Sequence, residues 1–305
     1  MLLLDIESGS VGSALLRLSP QEQPKLFGES RVHLPVAMVR SGQKLTEAVV
    51  SALRTVLQNT ADLAARIRLH PKTSAVGEVA QVAVFMAPPW GRPNLADGLP
   101  EFMPAMQEEM RRAAAPVFGS LPVSFYTAAG AAAFGNRALF GTEPCLVYHV
   151  TGESSELMLM DTEGVRAHAT IPMGSHVLLR TLRTHGGLSE HEARSAARLP
   201  FAAPLVREPF AAAAAPLSEQ VGDTMRAFTA AEPLSRVRVI AAEPAGEWFA
   251  RAIASNESFA EYFPQGGEVR ALRKEHLVPH IAAHAASPDL PLMLQALFVD
   301  SQINP

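Results

Sequence analysis

One pattern occurs twice in this chain, and that repetition restricts its fold more than any other feature. Near the start, Leu2, Leu3 and Leu4 form an apolar run ending on Asp5; a polar stretch of Ser8, Gly9 and Ser10 leads through Gly12 into a second apolar run, Ala14 to Leu16. Leu146 to Val150 repeats the first run, Thr151, Gly152, Glu153, Ser154 and Ser155 repeat the polar turn, and Leu157 to Met160 repeats the return; Val165 to Ile171 then adds a third strand. Each segment reads as a hairpin closed by small residues, because Gly9 and Gly12 permit backbone angles that a side chain forbids. Two hairpins with a third strand, each followed by helices, predict a duplicated α/β architecture of two similar halves facing across a cleft, with both turns on one phosphate chain.

The chemistry of the first hairpin fits that expectation. A carboxylate at the end of a buried strand, facing backbone N–H groups and hydroxyls, suits a phosphate and its metal: the N–H groups take the anion, and Asp5 takes Mg²⁺ or its water shell. The plainer alternative is an ordinary hairpin with a solvated Asp5.

Between and after the hairpins the elements alternate. Val32, Leu34, Val36 and Met38 predict a third strand over Arg31 to Val39. Leu45, Val49, Leu53, Val56 and Leu57 recur at helical spacing and predict an amphipathic helix, extended by Leu63 to Ile67 after a break. A buried strand at Val79 to Met86 ends in the loop APPWGRPN, the kind of place where open α/β sheets bind ligands. A helix over Glu101 to Val117, a strand at Val123 to Tyr126 and a small-residue helix in TAAGAAAFGNRALFG complete the first half. In the second half a helix spans His176 to Thr184, and Ser189 with Glu192 forms a capping box. A proline-spaced linker, Pro200 to Pro209, leads to a helix over about Phe210 to Ala230. A strand follows at Val237 to Ala241, then the turn and helix of AEPAGEWFARAI, and an edge strand at Val269 to Leu272. The apolar tail, Leu290 to Val299, packs on its own domain or docks elsewhere. The expected domains are 1–140 and 141–305, with a small subdomain at about 174–208.

Composition excludes several classes. The formal net charge of -4 argues against a nucleic-acid surface. Cys145 is the only cysteine, so no disulfide forms within the chain, and a buried inert thiol in a reducing compartment is expected. The first apolar run is too short for a signal peptide, and no segment approaches the roughly 20 apolar residues of a membrane span. His276, His280 and His284 fall four apart and would line one helix face, as metal ligands or as a solvated stripe. Trp90 reads as a cleft-lining aromatic, as a partner contact or, beside its prolines, as plain packing.

Taken in order, DIESGSVGSALL, YTAAGAAAFG, HVTGESSELMLMDTEGV, IPMGSHVLLRTL and VIAAEPAGEWFARAI resemble five pieces of the actin-like ATPase superfamily, which includes actin, heat-shock chaperone ATPases and sugar kinases. Within it the chain is similar to the bacterial PilM/FtsA-like branch, over Leu2 to about Ile253. The resemblance implies an α/β fold of two RNase H-like lobes, each a mixed five-stranded sheet with helices, facing across a central cleft. It implies ATP and Mg²⁺ as cofactors, with Asp5 holding Mg²⁺ through its water shell and nucleotide contacts at Ser8, Gly9, Ser10, Gly12, Thr151, Gly152, Ser154, Gly174, Glu243 and Gly246.

The sequence departs from the superfamily pattern at charged positions. His149 stands where the second phosphate loop normally opens with Asp, and a hard cation prefers oxygen to imidazole. Ala242, Glu243 and Pro244 replace the glycine pair of the adenosine turn. Phe125 to Thr127 offers only the Tyr126 and Thr127 hydroxyls to position water, and Ser195, Ala196 and Ala197 supply no cation. Phosphoryl transfer depends on metal, charge and water positioning, so weak or absent ATPase activity is expected. The resemblance then implies a cytoplasmic scaffold that assembles with itself, as an oligomer or filament, or with protein partners of a pilus or cell-division machine. The tail LPLMLQALFVDSQINP lacks Lys and Arg, so recruitment to the inner membrane through partners is expected rather than a direct anchor. The alternative is a small-metabolite kinase, which needs a carboxylate base beside the substrate hydroxyl.

Overall fold

The computed structural model describes residues 1–36, 42–69, 74–95, 100–199, 203–229, 234–242, 245–255, 263, 267–284 and 288–304. The chain divides into two compact units, one of Met1–Leu34, Arg40–Gly135 and Arg273–Pro305, the other of Pro35–Val39 and Asn136–Leu272.

The first unit contains β1 (Leu2–Glu7), β2 (Ser10–Arg17), β3 (Lys25–His33), α1 (Gly42–Arg68), a 3-10 turn at Ser74–Gly77, β4 (Val82–Met86), β5 (Gly91–Arg92), β6 (Glu101–Phe102), α2 (Pro104–Phe118), β7 (Val123–Thr127) and most of α3 (Ala128–Phe140). The second contains β8 (Cys145–Val150), β9 (Ser155–Met160), β10 (Val165–Ile171), α4 (Ser175–Gly186), α5 (Glu190–Ala196), α6 (Pro204–Thr229), β11 (Arg236–Ala241), α7 (Ala245–Ala254) and β12 (Glu268–Ala271). The chain then rejoins the first unit with α8 (Lys274–Leu277), β13 (Ala282–Ala283) and α9 (Leu290–Ile303).

Both main sheets have the same construction. In the first, β3, β2 and β1 are antiparallel neighbours, and β4 and β7 continue from β1 in parallel. In the second, β10, β9 and β8 are antiparallel neighbours, and β11 and β12 continue in parallel. The duplication in the sequence is therefore a duplication of topology. The first sheet has one strand more, because β13 adds in parallel to the edge of β3.

Burial explains why β1 is apolar throughout. Leu2, Leu4 and Ile6 share a core with Val49, Leu53 and Val56 of α1 and with Met106 and Met110 of α2. The aromatic layer of this unit is built by the tail: Phe298 of α9 meets Phe85, Tyr126 and Phe134 edge-on, with ring centroids 5.3 to 5.8 Å apart. A strand covered on two faces needs a continuous apolar run rather than an alternating one. Trp90 is buried in the same core as β1, so its role is packing. In the second unit Leu146, Tyr148 and Val150 pack with Leu217 and Val221 of α6 and with Trp248 and Phe249 of α7. The Cys145 thiol is buried and takes a hydrogen bond from Asn136, as expected of an inert thiol.

Several boundaries differ from expectation, each for a physical reason. The third strand begins at Lys25 and ends at His33, where Pro35 removes a ladder donor; Met38 and Val39 lie outside the described residues. Helix α1 runs without a break, because the Thr60 hydroxyl is satisfied inside it by the Val56 carbonyl and by Ser13 of β2, at 2.8 and 2.6 Å. Helix α6 begins at Pro204, before the expected linker ends. Its buried stripe of Val206, Phe210, Ala213, Leu217, Val221 and Met225 overrides Pro209 and Pro216. The division also differs from a boundary at residue 140, since the apolar α9 buries Leu290, Met293 and Val299 in the first unit. His276, His280 and His284 do not share a helix face. His276 lies in α8, where its Nδ1 accepts from the Arg273 N–H; His280 follows in a turn, and His284 stacks on Phe27. No metal-holding group occurs among the described residues.

β3 carries one extra residue against β2 between Phe27 and Ser30, and Gly28 takes it up with φ +62°. A Cβ at Gly28 would lie 1.5 Å from Leu63 Cδ2 of α1. Gly28→Ala is therefore both strained and overpacked. It is expected to lower stability by about 2 kcal/mol, read as a shift in the urea midpoint, and an unchanged midpoint would refute this account of the bulge.

Candidate functional site

The first hairpin turns through two residues, Ser8 and Gly9, between the paired Glu7 and Ser10. Ser10 and Gly12 lie within β2 rather than in the turn, which corrects the wider small-residue turn expected from the sequence. Gly9 also accepts the Leu34 N–H on its carbonyl at 2.8 Å.

Register places Asp5 of β1, Gly12 of β2 and Arg31 of β3 side by side across three strands. Gly12 has no side chain, and the Arg31 guanidinium lies in the space one would occupy: a Cβ there would be 2.7 Å from Arg31 Nη2. Through that gap Nη2 donates to Asp5 Oδ2 at 2.7 Å and to Asp289 Oδ1 at 2.9 Å. Nε donates to Asp289 Oδ2 at 2.5 Å, and Nη1 donates to Ser10 Oγ at 2.7 Å and Glu7 Oε1 at 3.2 Å. These contacts use all five N–H groups of a guanidinium. Burial alone would lower the Arg31 pKa, but Asp289, Asp5 and Glu7 more than offset it and hold the group charged.

The other Asp5 oxygen is also taken. Gln295 of α9 donates Nε2 to Asp5 Oδ1 at 2.6 Å, leaving its own Oε1 buried and unpartnered. Asp289 is the N-cap of α9, accepting from Leu292 N–H, and its own N–H donates to Glu29 Oε2 at 2.5 Å. Asp5 is buried and not solvated as in the plainer reading, yet it does not offer a free face to a metal. A divalent cation does not fit here: both carboxylate oxygens are in use, and the neighbouring positive charge is fixed.

The second hairpin is built with opposite polarity. Thr151 gives both its N–H and its hydroxyl to the Ser154 carbonyl, at 3.0 and 2.8 Å, closing the turn. Ser175 and His176, at the start of α4, donate their N–H groups to the carbonyls of Thr151 and Gly152, each at 2.8 Å. Gly174 makes that approach feasible, since a Cβ there would lie 2.4 Å from the Thr151 carbonyl oxygen. Glu153 receives His176 Nδ1 at 2.8 Å and Arg180 Nη1 at 2.7 Å. Burial pushes the Glu153 carboxyl up, but hydrogen bonds from His176 and Arg180 outweigh it and hold it below its ordinary value. A helix N-terminus is a ready anion site; the start of α4 is supplied from within, by two carbonyls and a carboxylate.

His149 is not idle in place of the expected Asp. Its Nδ1 lies 3.1 Å from Glu156 Oε2, and His168 Nε2 lies 3.0 Å from Oε1 of the same carboxylate. Glu156 is fully buried; desolvation raises its pKa, and the two imidazoles more than reverse that. Gly246 is buried in α7 near Ala241 and Ala271, whereas Glu243 lies outside the described residues. The structure thus gathers Asp5, Ser10 and Gly12 around Arg31 in one unit, and Thr151, Gly152, Ser154 and Gly174 around the start of α4 in the other. Arg31, Asp289, Gln295 and Glu153 are the residues sequence reasoning missed. The available signal was a lone glycine in a strand, which marks a close approach as often as a turn.

Two outcomes follow. Glu29 has one buried oxygen without a partner, and burial raises its pKa from 4.5 to about 7, against the lowering effect of the Asp289 N–H hydrogen bond and with a smaller push from the Asp289 carboxylate. Glu29 therefore holds its proton more tightly folded than unfolded, so its contribution to stability is full below about pH 4.5 and is lost as pH rises towards 7. Glu29→Gln, which keeps the acceptor for the Asp289 N–H, is expected to flatten thermal stability across that window and to be the more stable protein at pH 7.5; an unaltered pH profile would contradict it. Gly174→Ala is expected to cost about 2 kcal/mol by forcing α4 off the turn, measured by denaturant unfolding, with a neutral effect counting against the close approach.

No family model matches the chain, and no curated protein sequence does. Solved structures do. The structure of a PilM–PilN type IV pilus biogenesis complex aligns with TM-score 0.62 and 13% identity, covering 98% of each chain. The ethanolamine utilization protein EutJ from Carboxydothermus hydrogenoformans aligns with TM-score 0.53 and 15% identity, over 98% of this chain and 88% of that one. A ROK family glucokinase from Streptomyces griseus, in complex with glucose and AMPPNP, aligns with TM-score 0.52 and 14% identity over 99% of each. At such identities the likeness concerns the backbone, and what it establishes is that this chain has the two-lobed actin-like ATPase fold.

Proposed function

We propose that this protein is a PilM-like, actin-fold scaffold that works by binding proteins and turns over ATP weakly or not at all. The observation that carries this reading is Asp5, the first-hairpin carboxylate that the resemblance assigns to Mg²⁺, held on both oxygens by Arg31 and Gln295. An ATPase or kinase needs charge and metal placed on a transferring phosphoryl group, and here the charge is spent inside the fold. Full-length alignment with the PilM chain of a PilM–PilN complex supports a protein partner. Among the described residues no helix is long and apolar enough to cross a membrane, consistent with recruitment to a membrane machine through that partner. Any nucleotide contact would rest on backbone groups rather than on a metal.

The test combines two measurements on the purified chain. Phosphate release from Mg²⁺–ATP, with and without small sugars, is expected at background level, and negative-stain microscopy is expected to show oligomers or filaments that are indifferent to ATP. Turnover within the usual enzymatic range of about 1 to 1,000 per second, by a featureless monomer, would replace the scaffold with a small-metabolite kinase.

A further inference from the structure

We infer that Arg31 is a resident cation: its guanidinium takes the place that a divalent ion would need at the first hairpin, so this lobe neither binds nor requires Mg²⁺. The inference shares with the scaffold reading the engagement of Asp5 by Arg31 and goes beyond it to the cation itself.

The geometry is that of a cation site already filled. Asp5, Glu7 and Asp289 direct carboxylate oxygens at one centre, each within 3.2 Å of a guanidinium nitrogen, and Ser10 adds a hydroxyl oxygen. These are hard oxygen donors of the kind Mg²⁺ and Mn²⁺ select. They come from β1, β2 and the N-cap of α9, so their convergence is not an accident of neighbouring residues on one element. Three carboxylates this close repel one another unless a positive charge sits among them, and Arg31 is the group that meets all three. Because every guanidinium N–H is engaged, Arg31 is also not a phosphate-binding arginine waiting for an anion. Gly12 is what admits it, since any side chain there would meet the guanidinium.

A protein with a resident cation should ignore divalent ions, and should acquire a site for them when that cation is removed. Mn²⁺ alone, titrated against the full chain and followed by the loss of its free-ion electron paramagnetic resonance signal, reads both. The wild type is expected to bind no stoichiometric Mn²⁺ and to show no shift in melting temperature with millimolar MgCl₂. Arg31→Ala is expected to bind one equivalent and to regain with Mn²⁺ much of the melting temperature it loses. Adding Asp5→Asn to that variant is expected to weaken the new site about tenfold or more. Should Arg31→Ala prove insoluble, the same titration is read on Arg31→Gln, which keeps two N–H donors but no charge. One equivalent bound by the wild type and abolished by Asp5→Asn would overturn the inference, as would a folded neutral variant that binds none. No nucleotide or partner enters this experiment: stoichiometric Mn²⁺ on the wild type would free Asp5 and remove the ground for weak turnover while leaving partner binding to its own assay, and ATP turnover by a wild type that binds no Mn²⁺ would sink the scaffold reading without touching this one.

Discussion

The first lobe depends on one buried guanidinium. Arg31 ties three strands to the start of the last helix: it spans Gly12 to reach Asp5, takes Glu7 and Ser10 beside the turn, and grips both oxygens of Asp289 at the N-cap of α9. Removing one partner from such a buried charge network typically costs about 3–5 kcal/mol, because the remaining charges are left without compensation. That is a large share of the roughly 5–15 kcal/mol by which a domain is stable. Helix α9 supplies Phe298 to the aromatic cluster of Phe85, Tyr126 and Phe134. The same arginine that neutralises Asp5 therefore anchors the element on which that cluster depends.

The second lobe solves the mirror problem with the opposite sign. Where α4 begins, the positive end of a helix meets the Thr151 and Gly152 carbonyls, with Glu153 clamped between His176 and Arg180. On the sheet behind that turn, Glu156 is shared by His149 and His168. Each hairpin thus carries its own counter-charges. Positions that could serve a metal or a phosphate are occupied by side chains or backbone carbonyls of the same lobe, and the reason is local electrostatics rather than loss of the fold.

Much of the fold was legible in the sequence because it rests on patterns that survive without knowledge of register. Two apolar runs closed by small polar residues located both hairpins, helical spacing located α1, and Ser189 with Glu192 announced the capping box that opens α5. The site was less legible, for a reason that lies in β3. Alternation of Val32, Leu34, Val36 and Met38 suggested a strand starting at Arg31, whereas the strand starts at Lys25 and contains a bulge at Gly28. A one-residue change of register moves every side chain to the other face, so without the bulge there was no way to see that Arg31 lies opposite Gly12. Contacts from Asp289 and Gln295 span more than two hundred and fifty residues of chain. No local pattern encodes them.

Gly12 shows how one residue type can support contrary conclusions. Read in the chain, a glycine after a polar turn suggests backbone drawn close to a phosphate. In the structure it sits in a strand, and what draws close is a cation from the neighbouring strand. Mg²⁺ usually holds to proteins by one or two carboxylates and keeps much of its water. To bind at Asp5 it would have to displace a guanidinium secured by several charge-assisted hydrogen bonds, each worth about 1.5–3 kcal/mol, and then remain beside the displaced positive charge. The balance favours the arginine.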